Sequence, residues 1–113
     1  MVEGEAIGIE KTRPGMTGSE VFHLTVQGVR DNGEPRYRRH HVGHSIGAEV
    51  YEQPILADGN DVVIEAGMVI NIETPYYEFG VGAIHVENPF VVAESGPNVV
   101  LTSGSPRKLV VLS

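Results

Sequence analysis

Three of the five histidines stand together in His40-His41-Val42-Gly43-His44-Ser45-Ile46-Gly47. Imidazole is a base, an acid or a metal ligand near neutral pH, and the interleaved glycines let a ligand approach the backbone closely. The same histidines follow Arg36, Arg38 and Arg39. On spacing alone, a solvated basic patch accounts for them equally well.

Two glutamates sharpen the picture. In Val69-Ile70-Asn71-Ile72-Glu73-Thr74 the period-2 alternation puts Ile70 and Ile72 on one face of a strand and Asn71 and Glu73 on the other. The pattern repeats in Ala83-Ile84-His85-Val86-Glu87-Asn88, with Ile84 and Val86 on one face and His85 and Glu87 on the other. A carboxylate in so apolar a strand is costly unless it is paired or bound to a metal. Two neighbouring strands that each present one repel unless a cation lies between them. A solvated sheet face is the plain alternative for either glutamate taken singly. Two of them with a histidine cluster favour the cation.

These residues need elements to hold them. Residues 2–12 read as a short helix with no capping residue in front, as if cut from a longer chain. Thr17 and Glu20 match a capping box, which predicts a helix from about Gly18 to about Arg30 that stops at Asp31-Asn32-Gly33. Val21, Phe22, Leu24, Val26 and Val29 give it a buried stripe. Strands and turns follow: an extended stretch from Tyr37 to Val42, a loop over residues 43–60, a strong strand over Val69–Thr74, and one or two strands between Gly80 and Val92. A turn at Ser95-Gly96-Pro97-Asn98 leads to short strands at 99–101 and 109–112. Helices first and strands after give an α+β fold in one domain spanning residues 1–113.

Composition narrows the classes of function. The 113 residues contain no cysteine, which excludes disulfides, thiolate metal sites and a cysteine nucleophile. A formal charge of −7 disfavours nucleic acid and anionic membranes as partners. No apolar run approaches the roughly 18 residues of a membrane span. The acidic start Met1-Val2-Glu3-Gly4-Glu5 has no secretory core, so a cytoplasmic setting is expected.

Taken together, the motifs resemble the C-terminal half of the pita-bread metallopeptidase domain, the family of aminopeptidase P, prolidase, methionine aminopeptidase and the metal-free creatinase. The matching pieces are Pro14-Gly15-Met16-Thr17, His40-x-x-Gly43-His44-x-Ile46-Gly47, Glu52-x-Pro54, Gly67-Met68-Val69-x-x-Ile72-Glu73, Val86-Glu87 and Leu101-Thr102. They run in family order along essentially the whole chain. His44, Glu73 and Glu87 are spaced by 29 and 14 residues, as in prolidase-like members.

The resemblance implies half of a pita-bread fold, a curved antiparallel sheet backed by helices. It implies hydrolysis of an N-terminal peptide bond of the Xaa-Pro type by a metal-activated water, with two divalent ions (Mn, Co, Fe or Zn) in the intact enzyme. His44, Glu73 and Glu87 would be metal ligands, and Glu73 also the general base. His40, Tyr51 and His85 would face the substrate, with His40 taking part in catalysis. The family's two metal-binding aspartates come from strands that precede the first helix here. A chain with three of five ligands is expected to bind metal weakly and to have little activity alone. It is also expected to pair with a second copy as a homodimer, or with the half it lacks.

Three positions depart from the prolidase pattern. Tyr51 stands where a histidine is usual, His85 where an arginine is usual, and Asn88 where an aspartate is usual. They leave two alternatives open: a creatinase-like metal-free amidino hydrolase, and a catalytically inactive module that binds peptides or other partners.

Overall fold

Thr17 and Glu20 close the capping box that their spacing predicts. In the computed structural model, which describes all 113 residues, the Glu20 backbone N–H donates to the Thr17 hydroxyl at 3.2 Å. The Thr17 N–H donates back to the Glu20 carboxylate at 2.7 Å. Helix α2, Gly18–Asp31, starts there. Its buried stripe holds Val21, Phe22, Val26 and Val29, with Thr25 fully buried and Leu24 left at the margin.

Helix α1, Val2–Lys11, has no side-chain cap at its start. At its other end the Asn98 amide donates to the carbonyls of Ile9 and Thr12, at 2.7 and 2.9 Å. The two helices meet almost backbone to backbone. A Cβ on Gly4 would lie 2.2 Å from Val29 Cγ2 and 2.8 Å from the Val29 nitrogen, so no larger side chain fits at this crossing.

Seven strands follow: β1 His41–Ile46, β2 Glu52–Ala57, β3 Val69–Glu73, β4 Tyr76–Glu78, β5 Gly82–Ile84, β6 Glu87–Val91 and β7 Val99–Val100. Five form an antiparallel sheet in the order β2-β1-β3-β6-β7, while β4 and β5 form a separate ribbon. The helices cover one face. Ile72 faces α1, since a Cβ on Gly8 would lie 2.8 Å from Ile72 Cδ1. Val42, Leu56, Ile64, Ile70 and Phe90 complete the core with no exposure to solvent. The predicted α+β class and helix-backed antiparallel sheet match what is observed.

Several strand expectations need correction. Residues 43–60 are not a loop: most of β1 and all of β2 lie there. Pro54 sits in β2, an edge strand, where a missing N–H costs no ladder bond. Gly43 serves the bulged pairing inside β1, while Gly47 opens the short 47–51 reversal into β2 and packs closely on Glu52. Residues 37–40 precede the strand instead of forming it. The stretch 83–88 is not one strand, because β5 ends at Ile84 and β6 begins at Glu87. Ile84 is therefore largely exposed on the ribbon, although it still lines one cavity together with Val86. Residues 109–112 are exposed and form no strand, having no ladder partner.

Asn88 pairs with Ile72, so it lies on the helix side of the sheet. There its amide donates to Glu5 at 2.7 Å, and the Thr102 hydroxyl donates to its carbonyl oxygen. Glu5 is 1% exposed, and burial raises its pKa above the ordinary 4.5 against the opposing pull of Asn88 and Arg107. A raised folded-state pKa means that the folded chain keeps a proton which the unfolded chain releases. Stability from this group is complete below the unfolded pKa and is lost as pH rises through the folded one. Glu5→Gln should therefore gain in unfolding free energy relative to the unaltered chain as pH rises from about 4 to about 7. Urea denaturation across that range checks it, and parallel pH curves would contradict it.

Candidate metal centre

The helix-free face of the sheet gathers the polar residues. Antiparallel register sets Glu73 of β3 directly opposite Glu87 of β6, and Asn71 of β3 opposite His44 of β1. Alternation then puts His44, Asn71, Glu73 and Glu87 on one face; the sequence pattern predicts this for Asn71, Glu73 and Glu87, whereas His44 falls in the stretch expected to be loop. Like charges directly opposite each other across a strand pair destabilise it, so the two carboxylates need cationic or hydrogen-bonding partners.

Two histidines and an asparagine provide them. His41 Nδ1 sits 3.1 Å from Glu73 Oε1, and His85 Nε2 sits 3.2 Å from Glu73 Oε2. His85 Nε2 also lies 3.7 Å from Glu87 Oε2. The Asn71 amide donates to Glu87 Oε1 at 2.6 Å. Glu73, 12% exposed, is the sheltered member of the group, while Glu87 and His85 are about half open to solvent.

His41 is the residue that strand alternation misses. It is three positions from His44, so a regular strand would turn the two side chains to opposite faces. The β1–β2 register slips between them, with Gly43 at φ +148°. Both imidazoles then reach Tyr51. The His44 ring stacks on the Tyr51 ring at 3.8 Å, and the Tyr51 hydroxyl lies 3.0 Å from His41 Nε2. Burial pulls the His41 pKa below its ordinary 6.5, with Arg39 and His44 adding to the shift and Glu73 opposing it. The Tyr51 pKa is raised, by burial first and then by the Glu73 charge. One consistent proton arrangement has Tyr51 O–H donating to His41 Nε2 and His41 Nδ1–H donating to Glu73.

His44 is almost fully buried, and its Nδ1 lies 3.0 Å from the Ser45 carbonyl oxygen. A carbonyl only accepts, so Nδ1 carries the proton and Nε2 is the basic nitrogen, the state a metal ligand needs. Its imidazole is not in the tight group, however. The ligand atoms that lie within 4.8 Å of one another belong to Glu73, His85 and Glu87. His40 is exposed just before β1. Asn88 is on the opposite face, so its departure from the family pattern does not touch this site.

The donor set suits a divalent cation. Carboxylates with imidazole are ligands for Mn, Fe, Co or Zn. Asn71 Oδ1, beside Glu87, is buried without a hydrogen-bond partner, an orphaned acceptor of the kind that ordered water around a bound ion satisfies. His44, Glu73 and Glu87 are the residues of this chain that would hold family metals, with Asn71 and His41 orienting the carboxylates. No helix here is long and apolar enough to cross a membrane.

Comparison with known proteins extends this reading. The family model for metallopeptidase family M24 matches residues 1–94. An Xaa-Pro dipeptidase of Lactobacillus delbrueckii subsp. lactis is 40% identical over 88 residues, covering 78% of this chain and 24% of the relative. An uncharacterised peptidase of Bacillus subtilis, YqhT, is 33% identical over 110 residues, or 97% of this chain and 31% of the relative. Among solved structures, an Xaa-Pro dipeptidase from Bacillus anthracis superposes with a TM-score of 0.85 at 34% identity, covering 98% of this chain and 31% of that one. The chain thus spans under a third of the length of these relatives.

Proposed function

The chain belongs to metallopeptidase family M24, and from that premise we propose that it supplies the imidazole and glutamate half of a site that hydrolyses Xaa-Pro peptide bonds. The observation that carries the reading is the Glu73–Glu87 pair, opposed in register on one sheet face with His44 on the same face. Relatives named as Xaa-Pro dipeptidases support the substrate class. Divalent cations held there by His44, Glu73 and Glu87 would supply Lewis acidity toward an amide carbonyl and toward water.

The chain's own residues do the rest. Glu73, sheltered and flanked by two imidazoles, is placed to take a proton from water and return it to the leaving amine. His41 holds one oxygen of Glu73 in place. Asn71 does the same for Glu87. Tyr51 and His85, standing where the prolidase pattern has histidine and arginine, sit beside the carboxylate network and would meet the substrate together with His40, which is exposed just before β1. The two aspartates of the family site would come from a partnering half, and a cytoplasmic location suits a dipeptidase.

The test assays the chain with Mn2+ on Xaa-Pro dipeptides, alone and mixed with the remaining N-terminal portion of the Bacillus subtilis relative. Alone it should show little or no turnover; complemented, it should hydrolyse the dipeptides in a chelator-sensitive way. Turnover that survives chelation would contradict the reading, as would the absence of turnover from a complex shown to form.

A further inference from the structure

Both carboxylates of the metal face have one oxygen held by a protein donor. His41 occupies Glu73 Oε1 at 3.1 Å, and the Asn71 amide occupies Glu87 Oε1 at 2.6 Å. The other two oxygens turn toward the same imidazole nitrogen, His85 Nε2, at 3.2 and 3.7 Å. Around a tetrahedral ion with bonds of about 2.0–2.2 Å, neighbouring ligand atoms are about 3.3–3.6 Å apart. The spacing of these groups is close to that of ligands around one ion, and all three sets of ligand atoms fall within 4.8 Å of one another.

We propose that Glu73, His85 and Glu87 form a self-contained site for one divalent transition-metal ion, with His85 as a direct ligand. The proposal deepens the peptidase reading and rests on its assignment of Glu73 and Glu87 to metal. It adds a ligand where the prolidase pattern carries arginine, a side chain that stays protonated and does not coordinate. The exchange of a fixed cation for an imidazole turns a charge partner into a nitrogen donor. His41 and Asn71 act as the outer hydrogen bonds that orient ligating carboxylates. Partial exposure of His85 and Glu87 leaves room for water to complete the coordination. The donor set of one imidazole and two carboxylates selects Zn2+, Co2+, Fe2+ or Mn2+ over Ca2+ or Mg2+.

The test titrates the 113-residue chain with Co2+, following calorimetric heat and the hyperfine-shifted imidazole N–H protons in the NMR spectrum. One Co2+ per chain is expected, with a shifted imidazole proton that disappears in His85→Arg. That substitution restores a permanent positive partner for both carboxylates but removes the donor atom, and it should weaken Co2+ binding by at least about 10-fold. Circular dichroism shows whether the variant is folded, and the further variant His85→Gln tests the same donor without adding charge. If both folded variants bind Co2+ as tightly as the unaltered chain, His85 is a charge partner and the proposal is overturned, while the peptidase reading stands. A chain that binds no Co2+ also overturns it. Failure of complemented dipeptide hydrolysis with the His85-dependent site intact would instead sink the peptidase reading alone.

Discussion

Glu73→Gln is expected to lower kcat/KM for Xaa-Pro dipeptides by about 10³-fold in the complemented enzyme, in the range that a positioned general base contributes. The substitution keeps the shape of the side chain and removes its charge. It deletes a proposed metal ligand, and it takes the carboxylate away from His41 and His85 at once. Cation affinity should fall in parallel. Folding should survive, because the change also removes like-charge opposition to Glu87 across the β3–β6 pair. Steady-state kinetics, Co2+ titration and a thermal melt separate these effects. Retained activity would remove Glu73 from the catalytic role.

The largest structural effect is expected at Gly43. Its φ of +148° disfavours any side chain, and a Cβ there would lie 2.0 Å from the Asn71 carbonyl oxygen and 3.0 Å from Leu56 Cδ1. Backbone strain of about 1–3 kcal/mol adds to overpacking of about 1–3 kcal/mol. Gly43→Ala should therefore cost about 2–6 kcal/mol, a large share of the roughly 5–15 kcal/mol that holds a typical domain together. The clash pushes β1 away from β3 where His44 faces Asn71, so metal affinity should fall with stability. Gly104→Ala is the control: nothing lies within 4 Å of its Cβ position, and it should stay within about 0.5 kcal/mol of the unaltered chain. Denaturant unfolding compares the two, and similar midpoints would show that the Gly43 site tolerates a side chain.

Local signals carried much of the fold. Thr17 and Glu20 announce α2 because a capping box is a contact between residues three apart. Ile70, Asn71, Ile72 and Glu73 announce a two-faced strand because alternation is also local, and the strand runs from Val69 to Glu73. What sequence spacing could not show was set by long-range pairing. Pro54 and three glycines between residues 43 and 60 have the composition of a loop, yet the neighbours β1 and β3 impose strand there. The break between Ile84 and Glu87 likewise belongs to the ribbon of β4 and β5, which no short window predicts.

The site divides the same way. Glu73 and Glu87 were legible as a pair facing one side, and register makes them direct opposites. His41 was not, because a shift in pairing beside Gly43 reverses the side that alternation assigns to it. The signal that was present is its place in an unbroken histidine cluster. The sequence departures also sort by place. Tyr51 and His85 stand in the network around Glu73, whereas Asn88 lies beneath α1 as the donor to a buried Glu5.

Metal binding by the sheet face that bears Glu73 and Glu87 is visible in an anomalous difference map, recorded at the zinc absorption edge, from crystals of the chain grown with Zn2+. A peak is expected within about 2.0–2.2 Å of a carboxylate oxygen of both Glu73 and Glu87. Zinc bound only elsewhere, for example at the exposed His23–Asp58 pair, with no peak between those glutamates, would contradict it.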